Sequence, residues 1–192
     1  MEQVYFEDKV IEKCDFILNP IEKGEYEDCQ FLNSDFSDAN LSDFKFINCQ
    51  FRACNLSMAM LANTFFQGVK FTDCKMLGLR FENCNEFGLS FRFENCRLNH
   101  SSFLKMRMKK TVFRNTQLHE VDFTMCDLNN ALFDNCDLSR AIFDRTIIEK
   151  ADFRTSYNFS IDPDRNRVKK AQFSIHGLPG LLGRYDLKIE RL

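Results

Sequence analysis

From Phe93 to Phe153 every fifth residue is apolar: Phe93, Leu98, Phe103, Met108, Phe113, Leu118, Phe123, Leu128, Phe133, Leu138, Phe143, Ile148 and Phe153. Two residues before each stands a mostly small side chain, as in Cys96, Ser101, Thr111, Cys126, Ala131 and Ala151. Asp, Glu, Asn, Ser, Lys and Arg dominate the other three positions of each five. A period of five fits neither a helix, with about 3.6 residues per turn, nor an unbroken strand, which alternates faces at every residue. It fits a chain that runs extended for a few residues and then turns, so that residues two apart point inward together. Four such sides close a square coil, and residues twenty apart stack. Phe93, Phe113, Phe133, Phe153 and Phe173 then form one column, Phe103, Phe123 and Phe143 a second, and Leu98, Leu118 and Leu138 a third. With coils about 4.8 Å apart, the centres from Phe6 to Phe153 predict roughly seven and a half coils and a rod of about 36 Å.

The first half keeps the same beat in a different phase, from Phe6, Ile11 and Phe16 through Phe66, Phe71 and Phe81. Lys9 and Asn19 fall on its small-residue line and Pro20 interrupts it, which predicts an irregular first coil acting as a cap. The phases meet at about residues 82–92. Phe81, Phe87 and Phe93 are six apart, which predicts one extra residue in each of two successive sides, eased by Gly78 and Gly88. Such an insertion is either absorbed at the corners or forms a bulge that shapes a partner surface. Asn48, Asp73, Asn83, Asn95, Asn130 and Asn135 stand where the chain must turn, and these residue types tolerate left-handed backbone. The expected organisation is a β-helix over 1–160, then a last partial coil and a capping or dimerisation segment over 161–192. That segment reads as a helical turn with Leu178, Leu181, Leu182 and Tyr185, followed by a short strand with Leu187 and Ile189.

Ala39-Asn40-Leu41-Ser42-Asp43, Cys126-Asp127-Leu128-Asn129-Asn130 and Ala151-Asp152-Phe153-Arg154-Thr155 resemble the repeats of the pentapeptide-repeat family. The resemblance implies an all-β fold, a right-handed quadrilateral parallel β-helix. Ile161-Asp162-Pro163 and the stretch from Gly177 to Ile189 are also similar in layout to the end of the family's quinolone-resistance proteins, which act on DNA gyrase and topoisomerase IV. That likeness implies a tail-to-tail homodimer through Leu178, Leu181, Leu182, Tyr185, Leu187 and Ile189, and a type II topoisomerase as partner. The chain departs from that group in lacking long loops within the coil and in its modest charge.

Charge and composition narrow this picture. Residues 1–88 hold 15 acidic and 8 basic side chains, net −7, and residues 89–192 hold 13 and 18, net +5. A duplex of about 36 Å carries on the order of 21 charges, so net charge alone does not make the whole rod a DNA mimic, and shape or specific contacts must contribute. Lys105, Arg107, Lys109 and Lys110, with Arg114 nearby, form either a nucleic-acid patch or a solvated face. Without an exposed aromatic beside them to stack bases, the solvated face is favoured and direct nucleic-acid binding is not expected. All nine cysteines lie on the small-residue line and alternate there with Ala, Ser, Thr and Val, so they read as small core residues rather than metal ligands. There is no Cys-x-x-Cys pair, no Gly-rich phosphate loop and no Ser/His/Asp or Cys/His set expected to converge, so no catalytic residue, metal or cofactor is expected. No apolar run reaches the roughly 18 residues of a membrane span, and the first residues lack a signal-peptide layout, so a cytoplasmic protein without membrane contact is expected. The reading is a non-enzymatic binding protein directed at a topoisomerase. The alternative is a structural or adaptor solenoid for another protein partner.

Overall fold

The structure, a computed structural model, describes residues 4–188 and residue 190. In chain order it contains β1 (Val4–Glu7), β2 (Val10–Glu12), β3 (Gly24–Glu27), β4 (Gln30–Leu32), β5 (Lys45–Ile47), β6 (Gln50–Arg52), β7 (Phe65–Gln67), β8 (Val69–Thr72), β9 (Phe91–Glu94), β10 (Val112–Arg114) and β11 (Leu132–Asp134), with one short helix, α1 (Pro179–Leu182). Every strand pairing is parallel. β1-β3-β5-β7 form one sheet, and β2-β4-β6-β8-β9-β10-β11 form a second. The other two sides of each coil carry isolated parallel bridges, such as Asp35↔Asn55 and Ser102↔Asp122. The molecule is a parallel β-solenoid with four faces, numbered here by the order in which the chain visits them, β1 lying on the first.

Two features of the repeat create this shape. The centre residue accepts a backbone hydrogen bond from the residue three further on at many corners, as in Ala131 N to Leu128 O at 2.9 Å. The residue two after the centre is left-handed there, as at Asn130 (φ 58°), so the corner has the form of a type II turn. Asn48, Asp73, Asn95, Asn130 and Asn135 all adopt positive φ. Asn83 does not; it ends a short 3-10 turn, Phe81–Asn83, that leads into the phase shift.

Inside, the rings stack along the axis. Phe93–Phe113, Phe113–Phe133 and Phe133–Phe153 have centroids 5.1, 4.9 and 4.5 Å apart and nearly parallel planes. Phe103–Phe123 and Phe123–Phe143 repeat this at 5.4 and 5.1 Å. Neighbouring columns meet edge to face, as at Phe123–Phe133 (5.9 Å, 88°). Leu98, Leu118 and Leu138 are fully buried in the adjoining column. Small-line residues with a polar hydrogen donate it to the preceding coil: Thr64 to the Leu41 carbonyl at 2.7 Å, Ser156 to Phe133, Thr146 to Phe123, and Cys49 to Tyr26 at 3.2 Å. This explains why Cys, Ser and Thr replace one another on that line. Each is small, and each satisfies the same carbonyl. All nine cysteines are free thiols. Burial pushes the Cys49 and Cys136 thiols up to about 12, so neither is a ready nucleophile near neutral pH.

Three local expectations need correction. The first coil is regular on two faces, where β1 and β2 pair with β3 and β4. Irregularity runs from residue 16 to residue 23, beginning where Asp15 caps the Ile17 and Leu18 amides. Gly24 keeps that first coil close, because a Cβ there would lie 2.4 Å from the Val4 carbonyl oxygen.

The phase shift, secondly, is one event rather than two. Pairings run twenty apart up to Phe51↔Phe71, become twenty-two at Phe71↔Phe93, and return to twenty at Phe93↔Phe113. Asn85 N still bonds Thr64 O normally, but the next bond to that coil comes from Ser90 N to Phe66 O. Both extra residues therefore enter between Asn85 and Ser90, on the first face. Phe87 points outward, 81% exposed, and is not an inward centre. The inner space is filled instead by Phe91, whose ring lies 5.4 Å from Phe66, 5.3 Å from Phe81 and 5.5 Å from Phe93.

The expected strand after the terminal helix, thirdly, is not formed over Asp186–Lys188. Asp186 adopts φ 49°, which breaks an extended course, and among the described residues none pairs with this segment as a strand.

Candidate interaction faces

A packed solenoid presents chemistry only on its outside, so the candidate sites are faces built from outward positions of successive coils. The first face is divided. Its N-terminal half carries Glu7, Asp8, Glu25, Glu27 and Asp28, with Asp43 at its edge, against Lys23 and Lys45. Lys45 pairs with Glu25 at 3.0 Å, Lys23 with Asp43 at 2.7 Å, and the Tyr5 hydroxyl donates to Glu27 at 2.7 Å. The Lys23 ammonium and then the Asn63 amide hold the Asp43 carboxyl below its usual range.

Beyond the Asn85–Ser90 loop the sign reverses. The row Arg107↔Asp127↔Ile147↔Arg167 runs along the face. Lys110, Lys150 and Lys170 stand with Asn130 at one left-handed corner, and Lys105 and Arg145 with Met125 at the other. Arg165 O accepts from Arg145 N, which sets Arg165 beside that second corner, and Lys150 N bonds Lys169 O. With Lys109, ten exposed cations share this half-face with Asp127, Asp144 and Glu149. Lys109 pairs with Asp127 at 3.3 Å, Arg145 and Arg165 with Asp144 at 3.2 and 2.6 Å, and Arg167 with Glu149 at 2.8 Å. Lys105, Arg107, Lys110, Lys150, Lys169 and Lys170 form no ion pair among the described residues.

Along the chain only the run at Lys105–Lys110 is contiguous. The wider face was readable from spacings that are multiples of twenty: Lys110, Lys150 and Lys170; Arg107 and Arg167; Lys105, Arg145 and Arg165.

The loop between the halves is held by its own polar side chains, which accept from backbone amides. Ser90 Oγ accepts from Gly68 N at 2.7 Å, Asn85 Oδ1 accepts from Phe87 N at 3.0 Å, and Gly88 takes φ 64° against Phe65 and Gln67. Phe87 is thereby displayed at the boundary of the acidic and basic halves.

The other candidate is the C-terminal end. Phe159 turns inward beside Phe153 and Phe173, and Ile161 N bonds Gly180 O at 2.9 Å. A Cβ on Gly180 would sit 2.4 Å from Phe159 O, so only glycine lets α1 lie this close. Arg184 reaches Asp162 at 3.2 Å and Asp164 at 2.6 Å. Partial burial raises the Asp162 carboxyl, but the Asp164 amide and the Arg184 guanidinium outweigh it and hold the group below its usual range. Leu181 packs on the core, Leu182 is half-buried, and Leu178, Tyr185 and Leu187 are exposed. Ile189 lies outside the described residues.

One polar cluster converges unexpectedly. His119 Nε2 lies 2.8 Å from Asp137 Oδ2, and the Ser139 hydroxyl donates to Asp137 Oδ1 at 2.7 Å. The order is wrong for nucleophilic catalysis, since Ser139 bonds the carboxylate and not the imidazole that would have to take its proton. Among the described residues no group of three or more His, Cys, Asp or Glu is placed to hold a metal ion, and no helix is long and apolar enough to cross a membrane.

Family models agree with this geometry. A model described as pentapeptide repeats (8 copies) matches residues 34–73 and 49–85, and one described as a pentapeptide repeat region matches 80–153. Together they run from 34 to 153, more than half of the chain. The chain is a pentapeptide-repeat protein. No curated protein matches its sequence significantly. Among solved structures, a trypsin-treated variant of QnrB1, a plasmid-mediated fluoroquinolone resistance protein, is similar over 97% of this chain and 100% of its own, with TM-score 0.64 and 17% identity. A second trypsin-treated QnrB1 variant gives TM-score 0.64 at 18% identity, over 96% of this chain and 99% of its own. Full-length QnrB1 gives 0.55 at 19% identity, over 96% and 100%. At such identities the likeness speaks for the shared pentapeptide-repeat fold.

Proposed function

We propose that this pentapeptide-repeat protein is a non-enzymatic binding protein whose partner is a type II topoisomerase, and that its acidic N-terminal half occupies the enzyme's DNA-binding surface. The observation that carries the reading is the acidity of the N-terminal half, six of whose carboxylates (Glu7, Asp8, Glu25, Glu27, Asp28 and Asp43) lie on or at the edge of the first face. Residues 4–88 fill somewhat more than four coils, about 20 Å at 4.8 Å per coil. A duplex of that length carries about 12 charges. The net −7 of sequence residues 1–88 (15 acidic, 8 basic) is over half of that value, whereas the whole chain has a net charge of only −2. Charge mimicry thus belongs to one end of the rod. The likeness in fold to a fluoroquinolone resistance protein, and the Ile161-Asp162-Pro163 turn anchoring the tail through Arg184, support the same reading.

Titrating purified gyrase with the protein is expected to change supercoiling, or its inhibition by ciprofloxacin, at low micromolar concentration. The variant Asp8→Asn/Asp28→Asn is expected to lose much of the effect. Both positions are left-handed corners that suit Asn, so the fold is retained. Unchanged supercoiling with and without the drug would remove the topoisomerase reading.

Homodimerisation through the tail is part of the proposal. Leu178, Tyr185 and Leu187 form an apolar end with exposures of 44, 51 and 56%. Sedimentation of the native chain is expected to show a dimer, and Leu178→Asp/Leu187→Asp a monomer with unchanged circular dichroism. A native monomer at tens of micromolar would refute it.

A further inference from the structure

We propose that the C-terminal half of the first face, together with Phe87, binds single-stranded nucleic acid without sequence preference. Two independent observations meet there. Lys105, Arg107, Lys110, Lys150, Lys169 and Lys170 are exposed and form no ion pair among the described residues, so their charge is available to an outside anion. Phe87 is held outward on the preceding coil of the same face, 81% exposed, by a loop fixed through Phe87 N to Asn85 Oδ1 and Gly68 N to Ser90 Oγ. A positively charged track beside an exposed ring is the arrangement by which proteins hold single strands: phosphates follow the cations, and an unstacked base lies on the ring. The rows from Lys105–Lys110 to Arg165–Lys170 are three rises apart, about 14 Å, which suits a few nucleotides of one strand. An acidic protein surface would satisfy the charges but would leave the ring unexplained, and a duplex, whose bases are stacked, offers it nothing to stack on.

This inference does not depend on the topoisomerase reading, and its test contains no topoisomerase. Fluorescence anisotropy of a labelled oligothymidylate of about twelve nucleotides, inside the usual range of single-strand site sizes, is measured at several salt concentrations from ~50 mM. Binding is expected to weaken steeply with salt. In the variant Lys110→Asn/Lys150→Asn/Lys170→Asn affinity is expected to fall about tenfold or more, and the slope of log affinity against log salt to become shallower by about 2. Asn130 already occupies this column and Asn accepts the left-handed corner, so this variant keeps the fold. Arg107→Gln/Lys169→Gln, two unpaired cations away from the left-handed corners, is expected to weaken binding of the oligothymidylate in the same direction. Phe87→Ala is expected to weaken the oligothymidylate about fivefold or more while leaving the weaker binding of a duplex of equal length unchanged.

No anisotropy change at ~50 mM salt would overturn the proposal. So would a polyglutamate peptide competing as well as oligothymidylate, which would make the face a general anion surface. Equal affinity of Phe87→Ala and the native chain for the single strand would overturn the assignment to unstacked bases.

Discussion

Phe123→Ala is expected to lower the stability of the chain by about 3–5 kcal/mol. The Phe123 side chain is fully buried, stacked between Phe103 at 5.4 Å and Phe143 at 5.1 Å and met edge-on by Phe113 and Phe133. Truncation removes the transfer energy of the ring and leaves a cavity. The neighbours cannot move in to fill it, because each coil is fixed by backbone bonds to the coils on either side, as Phe123 N is to Ile142 O at 2.9 Å. Urea unfolding followed by circular dichroism measures the loss. A change under about 1 kcal/mol, the size of an average substitution, would mean that the column is wrongly drawn.

The second large effect separates two phenylalanines only four residues apart. Phe91→Ala is expected to cost about 3 kcal/mol or more, since that ring closes the gap between Phe66, Phe71, Phe81 and Phe93 where the coil lacks an ordinary centre residue. Phe87→Ala is expected to stay within about 0.5 kcal/mol of the native chain, as surface changes usually do. The opposite ranking in the same unfolding experiment would place Phe87 inside and divide the two extra residues between two sides.

These two residues also show how far the chain can be read without coordinates. Phe123 was legible because its column repeats without exception on both sides, and a stripe of that length admits one register. Equal steps of six join Phe87 to Phe81 and Phe93, so spacing alone places it inside. Spacing cannot register that Phe91, a large residue on the small-residue line, is able to take the inner place itself. Asn83 stands just before the insertion, where its corner becomes a 3-10 turn, so its residue type alone does not fix its backbone. The acidic and basic halves of the first face were visible as a charge imbalance but not as surfaces. Lys150 and Lys170 become neighbours only when the coils are counted. The chain shows no aromatic beside Lys105–Lys110; the outward turn of Phe87 supplies one on the adjoining coil. At the tail, Leu181 and Leu182 lie against or near the last coil while Leu178, Tyr185 and Leu187 face outward, a division that apolar letters alone do not make.

The constant step of the ladder also has a kinetic consequence. Each backbone bond between coils joins residues about twenty apart, or twenty-two across the insertion, however long the chain becomes. The relative contact order is therefore about 0.1, in the range of helical bundles rather than of sandwiches and barrels. Each new coil closes one short loop on a template already formed, so assembly proceeds as growth along an axis, and whole coils are the natural unit by which such a chain lengthens or shortens.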